Sequence, residues 1–354
     1  MKSNIFSLTL EELENTLVND YHRKSFVAKQ LWSWLYCRGS KIFEEMTNIS
    51  KDLRAKLSEN YSCDRPKVID TMTSEDGTVK WLLELYDKET IELVYIPSND
   101  RGTLCLSSQV GCAMGCRFCN TGSQGFSRNL ETHEMVLEVI LAKDLLNDWE
   151  NKEIGNGRKI TNIVIMGMGE PLLNYENVMK AMKIVNDRNG IAFSNRRITL
   201  STCGIVPKIR DLGEEKLKLN LAISLHAADD DTRRKLMPIA EKYTLDQILE
   251  ACSLYSRKTS HRRVTFEYVM INNVNDGLDD ARRLLKLVKK YKIPAKFNLI
   301  PFNRWESCSF EGEPSTGKKI AEFARLITAS DYPCPIRLSR GQDIMAACGQ
   351  LRSF

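Results

Sequence analysis

The chain has 354 residues, a net charge of +5, 42% hydrophobic residues and 27% charged residues, a composition typical of a soluble globular protein with ample material for a core. No apolar run approaches the roughly 20 residues of a membrane-spanning helix, and the first residues lack the apolar core of a secretory signal. We therefore predict a cytoplasmic protein without a membrane partner. The mildly basic charge permits an anionic partner without requiring one.

The chain contains eleven cysteines. In a reducing compartment such a number indicates metal ligands or redox groups rather than disulfides. Cysteine also serves as a small buried apolar residue. We assign that role to Cys37, Cys63, Cys203, Cys252 and Cys334.

Residues 1–65 are predicted to form a small helical domain, because apolar residues recur with a helical period at Val27, Leu31 and Trp34. Basic residues and aromatic residues alternate along the same stretch, namely Arg23, Lys24, Lys29, Arg38 and Lys41 with Trp32, Trp34 and Tyr36. Basic groups suit phosphates and aromatic faces suit unstacked bases. An amphipathic helix with aromatic core residues and a solvated basic face gives the same pattern, so both interpretations stay open.

Residues 66–100 are predicted to form a β-hairpin extension, with strands at 78–85 and 90–97 joined by a polar turn at 87–89. Glu92 lies inside the second, otherwise apolar strand. Alternation along the strand could send Glu92 to the solvent face. The strand pattern alone leaves a functional role for Glu92 open.

From residue 101 to about 340, apolar strand-like runs alternate with helical stretches. The predicted strands are 103–107, 160–166, 197–201, 219–225, 264–270, 297–301 and 336–339, and predicted helices include 177–185, 279–291 and one that begins with a Thr244-x-x-Gln247 capping box. This alternation predicts a parallel α/β architecture, closed or partly closed as a barrel, followed by a tail at 341–354. In such barrels the functional residues lie at the carboxyl ends of the strands.

A loop directly after the first strand places Cys112, Cys116 and Cys119 as C-x3-C-x2-C between glycines. Several thiolates in such a loop can converge on one soft metal or cluster. A closed structural zinc site and an all-cysteine iron–sulfur cluster each use four ligands. Three close cysteines therefore leave one metal position open for a substrate or cofactor.

Other polar groups follow the next strands and would lie at the same carboxyl end of the barrel as the cysteine loop. Gly167-Met168-Gly169-Glu170 follows the second strand, and it lacks the dinucleotide-binding fingerprint because Leu172 occupies the third glycine position. Ser201 ends the third strand, and 224–226, Ser-Leu-His, ends the fourth. Taken alone, the histidine of that segment fits a satisfied core or rim residue.

Together these motifs resemble the radical S-adenosylmethionine superfamily. Within it, segments 101–112, 125–130, 224–226 and 346–351 resemble the RlmN/Cfr family of RNA adenosine methyltransferases. The resemblance implies a partial (β/α)6-type barrel in which three thiolates hold a [4Fe-4S] cluster. It also implies that S-adenosylmethionine chelates the open iron and yields a 5′-deoxyadenosyl radical, with two molecules of S-adenosylmethionine consumed per turnover.

The resemblance also assigns roles to individual residues. Cys348 in the tail matches the cysteine that accepts a methyl group and becomes covalently linked to the RNA, Cys105 matches the cysteine that resolves this adduct, and Glu92 matches the proposed proton acceptor. Positions that match cofactor contacts are Gly169, Glu170, Ser201, Ser224, Leu225, His226 and Asn303. Under this interpretation the domain at 1–65 becomes an RNA-binding accessory domain.

Pro171, together with the segment 76–81, favours the branch of the family that methylates C2 of adenine rather than C8. The expected substrates are an adenosine in the peptidyl-transferase centre of 23S rRNA and, in some members, the tRNA adenosine 3′ of the anticodon. The expected electron donor is a system such as flavodoxin. The alternatives are a C8-methylating enzyme and a zinc-binding RNA module that uses Cys105, Cys112, Cys116 and Cys119.

Overall fold

The computed structural model describes residues 2–99, 101–149, 157–305 and 308–352. Residues 2–62 form a small helical unit. Its elements are β1 (Ser3–Asn4), α1 (Leu10–Asn19), α2 (Phe26–Cys37), α3 (Lys51–Asn60) and β2 (Tyr61–Ser62), with β1 parallel to β2. A capping box of Thr9 and Glu12 begins α1. The helical prediction for this region is confirmed.

The buried face of α2 differs from the predicted one. Leu31 is buried as expected, but Val27 and Trp34 are only partly buried, whereas Trp32 and Tyr36 are each 1% exposed. Because Trp32 and Tyr36 stack on each other in the core, they are not available to bases in this structure. For these two residues the interpretation as aromatic core residues is correct.

Three antiparallel strands follow, and they are β3 (Lys67–Thr73), β4 (Val79–Glu84) and β5 (Thr90–Ser98). The predicted hairpin corresponds to β4 and β5, and β3 adds a strand that the sequence pattern did not predict. β5 pairs with the first barrel strand, β6 (Arg101–Leu106). The extension therefore continues the barrel sheet instead of standing apart from it.

The barrel region alternates strands and helices as predicted. In chain order its elements are β7 (Gln109–Gly111), α4 (Asn120–Ser123), β8 (Phe126–Asn129), α5 (Thr132–Leu146), β9 (Asn162–Ile165), α6 (Tyr175–Asn186), β10 (Ile198–Thr202), α7 (Val206–Glu214), β11 (Asn220–Ser224), α8 (Asp230–Leu236), α9 (Leu245–Lys258), β12 (Val264–Met270), α10 (Leu278–Lys290), β13 (Ala295–Pro301) and α11 (Gly317–Thr328). The Thr244–Gln247 capping box begins α9 as predicted.

One nine-stranded sheet connects the extension to the barrel, in the order β13-β12-β11-β10-β9-β6-β5-β4-β3. β1 with β2 and β7 with β8 form separate two-stranded sheets. The six strands from β6 to β13 in this order pair in parallel, as a partial (β/α)6-type barrel requires. Their runs are rich in buried β-branched and apolar residues, for example Ile163, Leu200, Ile223 and Phe266. The predicted fold class is confirmed.

The predicted strand at 336–339 is wrong. In the described structure this segment forms a single bridge, between Ile336 and Leu299 of β13. Leu299 N–H donates to the Pro335 carbonyl, and Arg337 N–H returns a bond to the Leu299 carbonyl at 2.8 Å. The next β13 residue on this side is Pro301, which has no N–H to donate, so the ladder ends there. The polar composition of 151–159 predicts a surface loop there, and most of this loop lies outside the described residues. No helix among the described residues has the length and apolar character needed to cross a membrane.

Candidate active site

A cavity of about 260 Å³ lies at the carboxyl ends of the parallel strands. Its wall includes all three cysteines of the C-x3-C-x2-C loop together with Cys105 from β6 and Cys348 from the tail. The structure thus brings together thiols that are more than two hundred residues apart in the sequence. A cavity of this kind, apolar with convergent polar groups, is typical of ligand sites.

The cysteine loop is anchored by the small antiparallel sheet of β7 and β8. Gly111, just before Cys112, has φ of 72°, and a Cβ atom there would lie 2.2 Å from the carbonyl oxygen of Gly125. Only glycine fits this close approach. Cys112 N–H then donates to that same carbonyl at 2.6 Å. The loop entrance is therefore fixed by backbone contacts that a larger residue would break.

The three loop cysteines act on one another electrostatically. Burial raises the pKa of Cys112 to about 12, with the charges of Cys119 and Cys116 adding to the effect. Burial also raises the pKa of Cys119 to about 11, and Cys116 contributes. Thiolates this close repel one another, so a cation or cationic cluster between them would stabilise the deprotonated forms. The donor set fits an iron–sulfur cluster.

Among the residues that the structure describes, no three Cys, His, Asp or Glu side chains are close enough to hold a single metal ion. The zinc module with Cys105 as a fourth ligand requires such a close set. A cluster of several iron atoms is larger than one ion, and its ligands stand farther apart. The geometry therefore disfavours the zinc alternative.

Cys203 is a residue that the sequence interpretation placed wrongly. It follows β10 and lines the cavity, where a hydrogen bond with Cys116, together with burial, raises the pKa of Cys203 well above its ordinary value. Its position directly after a strand, next to Ser201, is the sequence signal that could have identified it. Cys63, Cys252 and Cys334 are buried, as predicted.

Glu170 presents a buried carboxylate to the cavity. Its Oε1 accepts a hydrogen bond from Leu172 N–H at 3.0 Å, and its Oε2 accepts one from Cys203 N–H at 2.7 Å. Burial raises the pKa of Glu170, and these bonds oppose the rise. Gly169 beside it has φ of 100°, which turns the chain towards the cavity. A fixed carboxylate of this kind can receive an ammonium group.

The next strand ends supply hydroxyls and an imidazole. Ser201, Ser224 and His226 line the cavity, whereas Leu225 is buried behind it and does not. Val269 N–H donates to His226 Nδ1 at 3.0 Å, and burial lowers the pKa of His226 to about 3. The imidazole is therefore neutral, with its proton on Nε2.

Buried Arg233 holds these loops together, and sequence reasoning missed it. Its Nε donates to the carbonyl of Leu225 at 3.1 Å, and its Nη2 donates to that of Cys203 at 2.6 Å. The guanidinium therefore ties the end of β10 to the end of β11. It lies in α8 within a run of charged residues, so its sequence pattern indicated only a solvated helix.

The tail crosses the mouth of the cavity and carries Cys348 on its wall. Asn303 Nδ2 donates to the carbonyl of Cys348 at 3.2 Å, so this predicted cofactor contact also supports the tail. Burial raises the pKa of Cys105, and the charge of Cys348 adds to the effect. Cys348 as a whole residue is exposed, yet desolvation of its thiol by the cavity wall raises its pKa, while Arg337 acts in the opposite direction. The two cysteines are thus near neighbours.

Glu92 lies behind the tail rather than on the described cavity wall. It is 1% exposed, pairs with Lys80 at 2.8 Å and accepts a hydrogen bond from Arg352 N–H at 2.9 Å. Burial raises the pKa of Glu92, and the bond to Lys80 opposes the rise. Strand alternation left open whether Glu92 faces solvent, and the structure shows that the residue is a buried acid beside the site.

Comparison with known proteins gives consistent matches. Residues 106–288 match the family model described as "Radical SAM superfamily", and residues 3–62 match "Ribosomal RNA large subunit methyltransferase N-terminal domain". These two matches correspond to the barrel and to the N-terminal helical unit.

Relatives named "Dual-specificity RNA methyltransferase RlmN" span almost the whole chain. The Rhodospirillum rubrum protein is 51% identical over 99% of this chain and 80% of its own length, and the Zymomonas mobilis protein is 47% identical over 99% and 89%. Among solved structures, the crystal structure of a radical SAM methyltransferase from Sphaerobacter thermophilus matches with a TM-score of 0.90 and 39% identity, covering 99% of each chain.

The turn at Gly169 gives a testable expectation. Gly169→Ala places a Cβ 2.6 Å from that of Gln109, at a φ of 100°, so we expect the free energy of unfolding to fall by about 1–3 kcal/mol. Gly213→Ala is the matched control, because the new methyl group meets Lys258 at 3.5 Å, an ordinary contact, and it should not destabilise the protein. Denaturant unfolding of both variants measures the difference. Equal stabilities would contradict the strain argument.

Proposed function

Because this chain belongs to the RlmN family of radical SAM RNA methyltransferases, we propose that it methylates C2 of adenosine in both 23S rRNA and tRNA. The observation that carries the proposal is the meeting of Cys105 and Cys348 with the cysteine loop at one cavity. This arrangement is the one that a methyl-carrying thiol and a resolving thiol require.

The residues present fit the cofactors of the family. Cys112, Cys116 and Cys119 would hold a [4Fe-4S] cluster with one open iron position. Glu170 would receive the ammonium group of S-adenosylmethionine, supported by the backbone at Gly169. The further contacts would come from Ser201, Ser224, His226 and Asn303, which line the cavity. Leu225, bound through its backbone to Glu267 and Arg233, would hold the loop between two of them in place. When bound, these groups supply the methyl group and a 5′-deoxyadenosyl radical.

Cys348 is the methyl carrier in this proposal. Its thiol lines the cavity, where desolvation raises its pKa and Arg337 partly opposes this rise in favour of the thiolate, the nucleophilic form. Hydrogen removal from the S-methyl group then leaves a carbon radical on the tail. That radical adds to adenine C2, a carbon too electron-poor to attack a methyl donor itself. The RNA is then covalently joined to the sulfur of Cys348.

The radical adduct must first lose one electron, which the cluster would take back when bound, and Glu92 takes the proton that leaves C2. Cys105 then completes the reaction by attacking the sulfur of Cys348. The S–C bond to the methylene breaks with its electron pair on carbon, and the proton that Cys105 gives up converts this methylene into the methyl group on C2. A disulfide forms between Cys105 and Cys348. An external reductant then restores both thiols, and we propose a system such as flavodoxin as the electron source. Burial of Cys105 in β6 protects this thiol until the adduct is in place.

The helical unit at 1–65 is proposed as the RNA-binding accessory domain. Trp34 is partly exposed, and the Arg38 guanidinium lies 4.1 Å from its ring centroid. A paired cation and aromatic face of this kind suits an unstacked base and its phosphate. We further propose functional boundaries at 66–100 for the extension, 101–340 for the barrel and 341–354 for the methyl-carrying tail.

Reconstitution tests the activity. The protein, loaded anaerobically with iron and sulfide, should convert adenosine to 2-methyladenosine in an rRNA fragment and in tRNA when given S-adenosylmethionine and a reductant, as read by nucleoside mass spectrometry. Product at C8 would identify the other branch of the family. Absence of any methyladenosine with an intact cluster would refute the proposal. Product on one RNA alone would refute dual specificity.

The ligand set has a matched pair of variants. Cys119→Ala should abolish the visible absorption of the cluster and most of the bound iron, because one of three thiolate ligands is gone. Cys203→Ala removes a thiol from the same cavity but should keep both signals. Iron analysis and absorption spectra of the reconstituted variants measure this. Loss of the cluster in Cys203→Ala, or its retention in Cys119→Ala, would show that the ligands are assigned wrongly.

The resolving role predicts a trapped adduct. Cys105→Ala should form the bond between Cys348 and RNA but not break it, so a crosslinked species should accumulate in denaturing gels. Cys348→Ala provides the control and should give neither crosslink nor product. Normal turnover by Cys105→Ala without any crosslink would show that the two-cysteine mechanism does not operate in this protein.

A further inference from the structure

Lys80 and Glu92 form a buried ion pair beside the tail. The register of β4 and β5 pairs Lys80 with Val94 and Glu92 with Leu82, so the two charged residues are diagonal neighbours on the sheet. Lys80 Nζ lies 2.8 Å from Glu92 Oε1, and the two side chains are 6% and 1% exposed. Neither charge can be lost alone without leaving the other uncompensated.

Each partner of this ion pair also binds the tail backbone. Lys80 Nζ donates to the carbonyl of Met345 at 3.3 Å, and Glu92 Oε2 accepts from Arg352 N–H at 2.9 Å. These two contacts lie three residues before and four residues after Cys348. The ion pair therefore holds both sides of the segment that carries the methyl-accepting thiol.

On its other side the same segment rests on the cysteine loop. Asn120 N–H donates to the carbonyl of Gly349 at 2.7 Å, and Thr121 Oγ1 donates to that of Leu351 at 2.6 Å. These bonds join neutral groups and are expected to be weaker than bonds to charged ones. The two charged contacts, from Lys80 and Glu92, therefore contribute a large share of the stabilisation that keeps the tail docked.

We propose that Lys80 is a positioning residue that, through Glu92, clamps residues 345–352 and so sets the place of Cys348. The inference rests on the proposed function, in which Glu92 takes the proton from adenine C2. The same carboxylate cannot hold Arg352 N–H and face the RNA at once, because the docked tail covers it. The clamp must open for Glu92 to act, and Lys80 then keeps the uncovered carboxylate ionised and able to accept the proton.

Hydrogen–deuterium exchange of the reconstituted enzyme, read by mass spectrometry, tests the clamp without requiring any methyl transfer. In Lys80→Met, exchange of the tail amides should be faster by roughly ten- to hundredfold, the range for loss of charged hydrogen bonds. Exchange in β11, distant from the clamp, should stay unchanged. Lys80→Arg retains a cation and should restore protection. Lys88→Met removes an exposed ion pair with Glu84 from the same extension and should leave the tail protected.

Unchanged exchange of the tail amides in a folded Lys80→Met protein would overturn the proposal. The proposal would also be overturned if the tail amides of Lys80→Arg exchanged as fast as those of Lys80→Met. If Lys80→Met fails to fold because Glu92 is left unpaired, the double variant Lys80→Met with Glu92→Gln removes both charges. It should fold and show the same unprotected tail, and a protected tail in it would equally overturn the clamp. Because no RNA is present, a failed methylation assay does not affect this result.

Discussion

The docking of the tail against the cysteine loop is the interaction on which the site depends. Asn120 and Thr121, directly after Cys119, bind the backbone at Gly349 and Leu351. The barrel alone can position a cluster and a cofactor. These bonds, together with the contacts of Lys80, Glu92 and Asn303 to the tail, bring Cys348 to the same cavity, although more than two hundred residues separate it from the loop. A cluster site and a methyl-carrying site are thus combined by a few backbone hydrogen bonds.

The two parts of the sheet carry different functional groups. The parallel strands β9, β10, β11 and β13 end in the loops that form the candidate cofactor pocket, whereas β4, β5 and β6 carry Lys80, Glu92 and Cys105. Cys105 pairs with Val94, two residues from Glu92, along one continuous ladder. The groups proposed to hold the tail, take the proton and resolve the adduct therefore lie on three neighbouring antiparallel strands of one sheet. A separate hairpin could not keep them in register.

Sequence reasoning succeeded where one local pattern decides the outcome. Apolar runs predicted the parallel strands, and the Thr244 capping box predicted the start of α9, since both depend on neighbouring residues. It failed at 336–339, where Pro301 of β13 has no N–H to continue the ladder beyond Ile336. It also failed for Cys203, whose neighbour Cys116 comes from another loop. Contacts between distant segments leave no periodic signal in either partner.

Glu92 shows that the burial of a residue, as well as its type, determines its role in such a site. In the strand pattern it could have faced solvent, and the structure instead buries it against Lys80 and the tail backbone. Desolvation disfavours the charged form of the Glu92 carboxylate. The neighbouring cation of Lys80 is therefore needed to keep it ionised, whether or not the tail is docked. A base held in this way becomes reactive only when the tail leaves. The order of events is then built into the fold, since the acceptor is covered for as long as the backbone at Arg352 stays docked.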